Sequence, residues 1–253
     1  MTILNRASAN AVVAQGGGPT AVINASLYGV AAQLERALPA SARLLGARGG
    51  ITGVLAERWI DLREPDAETW ERIRLSPGAA LGSCRKMLSA EEAARAVEVL
   101  RRLDVRYFFY IGGNDSMDTA LKISRAAADS GYELVAAGIP KTVDNDLPAT
   151  DHCPGFGSAA RYFAQSAVDL GIDIHSLPTP VSILEVIGRN AGWLVAATMA
   201  ARESSDDAPH LIYVPEVPLA ADRFLAGVEE AYRRRGWVVA AVSEGLRDET
   251  GRG

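Results

Sequence analysis

The sequence predicts an α/β fold: two doubly wound, Rossmann-like halves with a cleft between them. Three observations carry that prediction. Short apolar runs at 11–14, 107–111 and 134–137 close on Gly16, Gly112 and Gly138, the pattern of buried parallel strands that end in tight turns. Helix-forming residues at helical spacing fill 21–38, 90–103 and 117–130, so strands and helices alternate, as they do when helices cover both faces of one parallel sheet. The alternation then restarts, with a helix over 158–170, a strand over 181–186, a helix over 191–202, a strand over 211–214, a helix over 221–235 and a strand over 237–243.

Local signals support these elements. Ser89, three residues ahead of Glu92, makes a capping box for the helix over 90–103. No low-complexity linker separates the halves, and element count places the boundary so that 1–150 is one α/β domain and 151–253 a second, incomplete one. A polar, glycine-bearing stretch, 244–253, follows the last strand without a closing helix, which predicts that a carboxyl-terminal portion is missing.

Composition narrows the function classes. With 253 residues, 48% of them hydrophobic, the chain can bury a substantial core. A net charge of −5 gives no overall attraction to nucleic acid or an acidic membrane surface. Two distant cysteines, Cys84 and Cys153, lack the spacing of a disulfide framework or a structural zinc site and fit a reducing compartment. The first ten residues do not form a signal peptide, and no segment approaches the roughly 20 apolar residues of a membrane span, so a cytoplasmic protein is expected.

In open α/β sheets ligands sit at the carboxyl ends of the strands, so the glycine turns are where chemistry is expected. Gln15-Gly16-Gly17-Gly18-Pro19-Thr20 joins a strand to a helix. Glycine lets backbone N–H groups approach an anion, and a helix start adds a positive dipole end, which suits a phosphate. A purely structural turn uses the same residues. The segment has neither the GxxxxGK[ST] nor the GxGxxG spacing, against a Walker-type kinase or a standard dinucleotide fold. Ile111-Gly112-Gly113-Asn114-Asp115-Ser116 repeats the arrangement with two oxygen-bearing side chains that suit Mg²⁺ held against a polyphosphate, or else an Asp or Ser cap on a structural turn.

A third segment, Gly138-Ile139-Pro140-Lys141-Thr142-Val143-Asp144-Asn145-Asp146, packs a lysine, a threonine and two aspartates together after a strand. Phosphoryl transfer needs a cation facing the phosphoryl charge and a carboxylate that takes the hydroxyl proton. A solvated loop rich in Asp and Asn has the same composition.

These segments resemble the phosphofructokinase family, and most of all its pyrophosphate-dependent 6-phosphofructokinases. The likeness extends to Leu81-Gly82-Ser83-Cys84-Arg85, to Glu185-Val186-Ile187-Gly188-Arg189-Asn190-Ala191-Gly192-Trp193 and to Val242-Ser243-Glu244-Gly245, in the family's order across nearly the whole chain. It implies transfer of a phosphoryl group from pyrophosphate to the 1-hydroxyl of fructose 6-phosphate, a step of glycolysis, by a homodimer or homotetramer. Asp144 is then the general base, with Lys141 and Asp115 completing the catalytic set. Gly17 would turn its N–H to the donor phosphates, joined by Gly18, Arg85, Gly113 and Ser116. Thr142, Val143, Asp146, Ile187, Gly188, Arg189 and Glu244 would hold the sugar phosphate, and Asn114 and Asp146 the Mg²⁺ cofactor.

The same likeness speaks to the donor. Members that resemble the ATP-using type carry glycine at the positions of Asp115 and, usually, Lys141; a carboxylate at 115 repeats the charge of an ATP α-phosphate and repels it. Two departures weaken the pattern: Asn114 replaces a metal-binding aspartate, and Pro180 a basic residue that reaches a neighbouring subunit's sugar phosphate. An ATP-dependent 6-phosphofructokinase and a catalytically impaired regulatory paralogue are the alternatives. Lipid and NAD kinases share a loop like 112–116 but are not expected to share 140–146 or 185–193.

Overall fold

The computed structural model describes residues 9–252, so most of the stretch read above for a signal peptide lies outside the described residues. The chain divides into two compact units after Lys141, where the sequence expectation places the boundary after residue 150. The intervening residues are bonded into the second unit: Thr142 N–H donates to Pro154 O at 3.0 Å, and Cys153 N–H to Asn145 Oδ1 at 2.7 Å.

The first unit holds a five-stranded sheet: β1 (Asn10–Gln15), β2 (Leu44–Ala47), β3 (Trp59–Asp61), β4 (Val105–Gly112) and β5 (Val135–Pro140), ordered β3-β2-β1-β4-β5. All pairings are parallel except that of β3, which runs antiparallel to β2 at the edge, so the sheet is mixed where the sequence predicts a parallel one. The strands alternate between two cores. Val12, Ala14, Phe108 and Tyr110 face one side, and Ala11, Val13, Tyr107 and Ile111 the other. Helices α2 (Gly50–Leu55), α4 (Ala90–Arg102) and α5 (Asn114–Asp129) cover the first face; α1 (Ile23–Ala37) and α3 (Ala67–Leu75) cover the second. The capping box opens α4 as expected: Ser89 Oγ accepts from Glu92 N–H at 3.2 Å, and Glu92 Oε2 accepts from Ser89 N–H at 3.1 Å.

The strand order reverses direction at β1, from which the chain goes to β2 on one side and later to β4 on the other. The crevice at the carboxyl ends of β1 and β4 is therefore the topological switch point, the ligand position of this class of sheet. Both double-glycine turns fall there.

The second unit holds a parallel sheet of β6 (Val181–Val186), β7 (Leu211–Tyr213) and β8 (Val238–Ser243) in the order β6-β8-β7, with α6 (Phe156–Asp173), α7 (Trp193–Ala197) and α8 (Ala221–Arg235). The helix expected over 191–202 is α7 followed by a 3₁₀ turn, Thr198–Ala201, entered where the Thr198 hydroxyl donates to Val195 O at 2.6 Å. Among the described residues no helix is long and apolar enough to cross a membrane.

One packing detail yields a pH prediction. Trp237 lies between His175 and His210, with ring centroids 4.6 and 4.5 Å away. His210 Nδ1 accepts from Val239 N–H at 3.0 Å and Nε2 lies 3.3 Å from Asp206 O, which suits the neutral ring with its proton on Nε2. Burial holds its pKa below the ordinary histidine value of 6.5, and the charges of Arg235 and Arg202 push the same way. The unfolded chain therefore takes the proton first as pH falls, so this contribution to stability is full above about 6.5 and declines below it. Thermal melts from pH 7.5 to 5.5 should show a steeper loss for the wild type than for His210→Gln; equal slopes would contradict this.

Candidate active site

The glycine turn after β1 and the one after β4 face a common cluster of cations. Gly17 adopts φ +74°, and a Cβ added there would stand 3.4 Å from Lys141 Nζ and 3.6 Å from Gly113 N. A Cβ on Gly18 would stand 3.3 Å from Arg85 Nη2. Lys141 follows β5 directly, its N–H donating to Gly112 O at 3.0 Å, and only 4% of it is exposed. An ammonium held with so little water favours an anionic partner. Arg85 is exposed. Gly17, Gly18, Gly113, Lys141 and Arg85 thus converge at the switch point, an arrangement that can take a compact polyanion.

Two details differ from expectation. The Gly17 N–H donates to Cys84 O at 3.0 Å, and Gly17 O accepts from the Ser83 hydroxyl at 2.6 Å, so this peptide is engaged in tying the turn to 81–85 instead of facing a donor phosphate. Ser116 is buried beneath the turns, where a Cβ on Gly16 or Gly112 would run into its side chain, and it spaces them from below. Tyr110 shares that layer, and burial pushes its phenol pKa up, so it stays protonated.

Helix α5 starts earlier than the predicted 117, at Asn114, and Gly113 occupies its cap position with no side-chain cap bond. Asp115 and Ser116 are therefore first-turn residues and do not cap a structural turn. Asn114 and Asp115 are both exposed, and the negative charge of Asp115 is favoured at a helix start. Thr20 Oγ1, in the first turn, is buried and has no hydrogen-bond partner.

In the second unit, the loop after Lys141 folds around its own side chains. Thr142 Oγ1 accepts from Asp144 N–H and donates to Asp146 Oδ1, both at 3.1 Å. Asn145, buried and at φ +56°, donates from Nδ2 to Asp151 O at 3.1 Å and accepts the Cys153 N–H. Val143 packs against the core formed by Val186, Leu194, Val195 and Ala241. Asp144 is thereby set, half-buried, on a loop anchored on both sides of it.

That core also carries the other cluster. At the carboxyl ends of β6 and β8, Glu244 Oε1 accepts from Gly188 N–H at 3.2 Å, and the Ser243 hydroxyl donates to Gly188 O at 2.8 Å. Gly188 sits at φ +126°, where a Cβ would stand 2.6 Å from Ala191 O, so the turn requires glycine. Ile187, Arg189 and Glu244 are exposed around it. Glu216 Oε1 accepts from Gly192 N–H at 2.7 Å and pins the start of α7.

The phosphofructokinase family model matches residues 10–253. The chain belongs to the phosphofructokinase family. A curated pyrophosphate–fructose 6-phosphate 1-phosphotransferase of Xanthomonas campestris pv. campestris (strain B100) is 46% identical over 251 residues, 96% of this chain and 59% of that protein. The crystal structure of a pyrophosphate-dependent phosphofructokinase from Marinobacter aquaeolei is 44% identical and superposes with a TM-score of 0.86 over 95% of this chain and 62% of that one. A pyrophosphate-dependent phosphofructokinase from Nitrosospira multiformis, 39% identical, gives 0.87 over 98% and 63%. The chain spans about 60% of the length of the curated relatives it matches.

As a member of this family, the chain has its sequence motifs sorted into a glycine-turn and cation group in the first unit and a loop-plus-turn group in the second. Sequence reasoning gave no role to Gln15, Asn24, Asn145, Ser243 or Glu216, which hold those motifs in place. The available signal was polarity where the pattern calls for apolar residues: Gln15 ends a buried strand and Asn24 lies in the apolar start of α1, yet both are buried.

Proposed function

We propose that this chain carries the reaction machinery of a pyrophosphate-dependent phosphotransferase that converts fructose 6-phosphate to fructose 1,6-bisphosphate. The observation that carries the reading is the placement of the buried Lys141 ammonium against Gly17 and Gly113, with Arg85 against Gly18. Two cations and two glycine turns suit a small, highly charged donor, and the names of the similar proteins agree.

In this reading Lys141 and Arg85 neutralise charge on the transferred group, the largest source of acceleration in phosphoryl transfer. Asp144 accepts the proton of the sugar 1-hydroxyl. Gly188, Arg189 and Glu244, with Thr142 and Asp146, orient the sugar phosphate, and Asp115 disfavours a nucleotide.

Mg²⁺ fits this chemistry as a donor-borne ion. Among the described residues no group of three His, Cys, Asp or Glu side chains forms a metal cage; Asn114 in the first unit and Asp146 in the second, both exposed residues, are each a candidate oxygen donor. Mg²⁺ commonly takes one or two protein oxygens and completes its octahedron with phosphates and water. When bound it would shield charge on the donor.

The test is a coupled assay of fructose 1,6-bisphosphate formation with Mg²⁺ and either pyrophosphate or ATP. Turnover with pyrophosphate exceeding that with ATP is expected. Faster turnover with ATP, or phosphorylation of another acceptor and not of fructose 6-phosphate, would overturn the reading.

A further inference from the structure

We infer that Gln15 and Asn24 are positioning residues of the donor site, two buried amides that fix the Arg85 segment against the glycine turn of β1. The inference rests on the reading of that turn as the pyrophosphate site. Gln15, the last residue of β1, is fully buried, and Asn24, in the first turn of α1, is 1% exposed. Gln15 Oε1 accepts from Leu81 N–H at 2.9 Å, while its Nε2 donates to Ile23 O and Asn24 Oδ1, both at 3.1 Å. Asn24 Oδ1 also accepts from Ala80 N–H at 2.9 Å, and its Nδ2 donates to Ser76 O at 3.2 Å and Ser76 Oγ at 3.1 Å. All four polar side-chain atoms are engaged, and the network fixes which way each amide points.

The partners are what give this network a role beyond filling the core. From Ser76 to Ser89 the chain has neither helix nor strand, so no ladder of its own holds it. It carries Arg85, whose Nη2 faces Gly18. The amides hold its first half at Ser76, Ala80 and Leu81; the Ser83 hydroxyl and the Cys84 carbonyl then close onto Gly17. An apolar residue at position 15 would fill the volume but leave the buried Leu81 N–H unpaired, and one at position 24 would remove the partly buried bonds to Ser76 and Ala80. The guanidinium would then spend less of its time facing the turn, and the loss would appear in the affinity for the anion.

The experiment is titration calorimetry of pyrophosphate and, separately, fructose 6-phosphate into the wild type, Gln15→Met, Gln15→Glu and Arg85→Gln, with circular dichroism melts to show that each is folded. Gln15→Met keeps the volume and loses every bond; about tenfold weaker pyrophosphate binding is expected, with fructose 6-phosphate binding within about twofold. Gln15→Glu keeps an acceptor for Leu81 N–H but turns its second oxygen onto Ile23 O and Asn24 Oδ1, so it should weaken pyrophosphate binding at least as much as Gln15→Met. Folded Gln15→Met that binds pyrophosphate as the wild type does, or that loses both ligands equally, overturns the inference. Should Gln15→Met fail to fold, Asn24→Asp, which loses only the donors to Ser76, is judged by the same two criteria. If Arg85→Gln leaves pyrophosphate binding unchanged, the donor-site reading falls and the inference with it; if Arg85→Gln weakens binding and folded Gln15→Met does not, the inference alone falls.

Discussion

Asp144→Asn is expected to lower kcat for fructose 6-phosphate phosphorylation by about 100- to 10,000-fold while leaving KM for both substrates nearly unchanged, the range for loss of a general base. The expectation follows from how the loop is built. Its backbone is shaped by the Thr142 hydroxyl, by the Asn145 amide and by Val143 packed into the core. Asn is the same size as Asp and leaves that scaffold standing, so the substitution removes proton-accepting ability with little change of shape. A melting temperature close to the wild type's, together with retained KM values, would locate the loss in the chemical step. A kcat within about tenfold of the wild type would assign the proton to another group.

The contrast between Asp144 and its supports illustrates what the sequence made legible. Motifs that act through local geometry were readable: β6 and α8 fall at the predicted bounds, the Ser89–Glu92 box forms both of its bonds, and the glycine turns lie at the ends of β1 and β4. Residues 44–75 were opaque for physical reasons. β2 is four buried residues with no alternation to betray a strand, β3 is three half-buried residues whose pairing is antiparallel, and α3 buries Trp70 alone, so its helical face carries little apolar signal. Supporting contacts were opaque because they are long-range: Gln15 meets Leu81 across 66 positions and Glu244 meets Gly188 across 56. The Gly17 peptide shows the same limit, since only the fold reveals that Cys84 and Ser83 already occupy it.

The donor side gives the other large effect. Lys141→Gly combined with Asp115→Gly is expected to reduce kcat/KM for pyrophosphate by about 100- to 1,000-fold, the magnitude for loss of one preorganised charge stabiliser, and to raise turnover with ATP. Lys141 lies between the two turns, near enough to Gly17 and Gly113 for its ammonium to serve a phosphoryl group held by both. Because it is buried, its charge acts through little water, and no solvent ion replaces it fully. Asp115 is expected to work by opposition. Its carboxylate is exposed in the first turn of α5, where it would repel an additional phosphate brought alongside. The single variants should separate the roles: Lys141→Gly alone loses pyrophosphate without gaining ATP, whereas Asp115→Gly alone keeps most pyrophosphate turnover and begins to accept ATP. Steady-state assays with each donor, on variants shown to be folded by their melts, distinguish this from a general loss of activity. If the double variant still prefers pyrophosphate by the wild-type ratio, donor choice is made by groups other than these two charges.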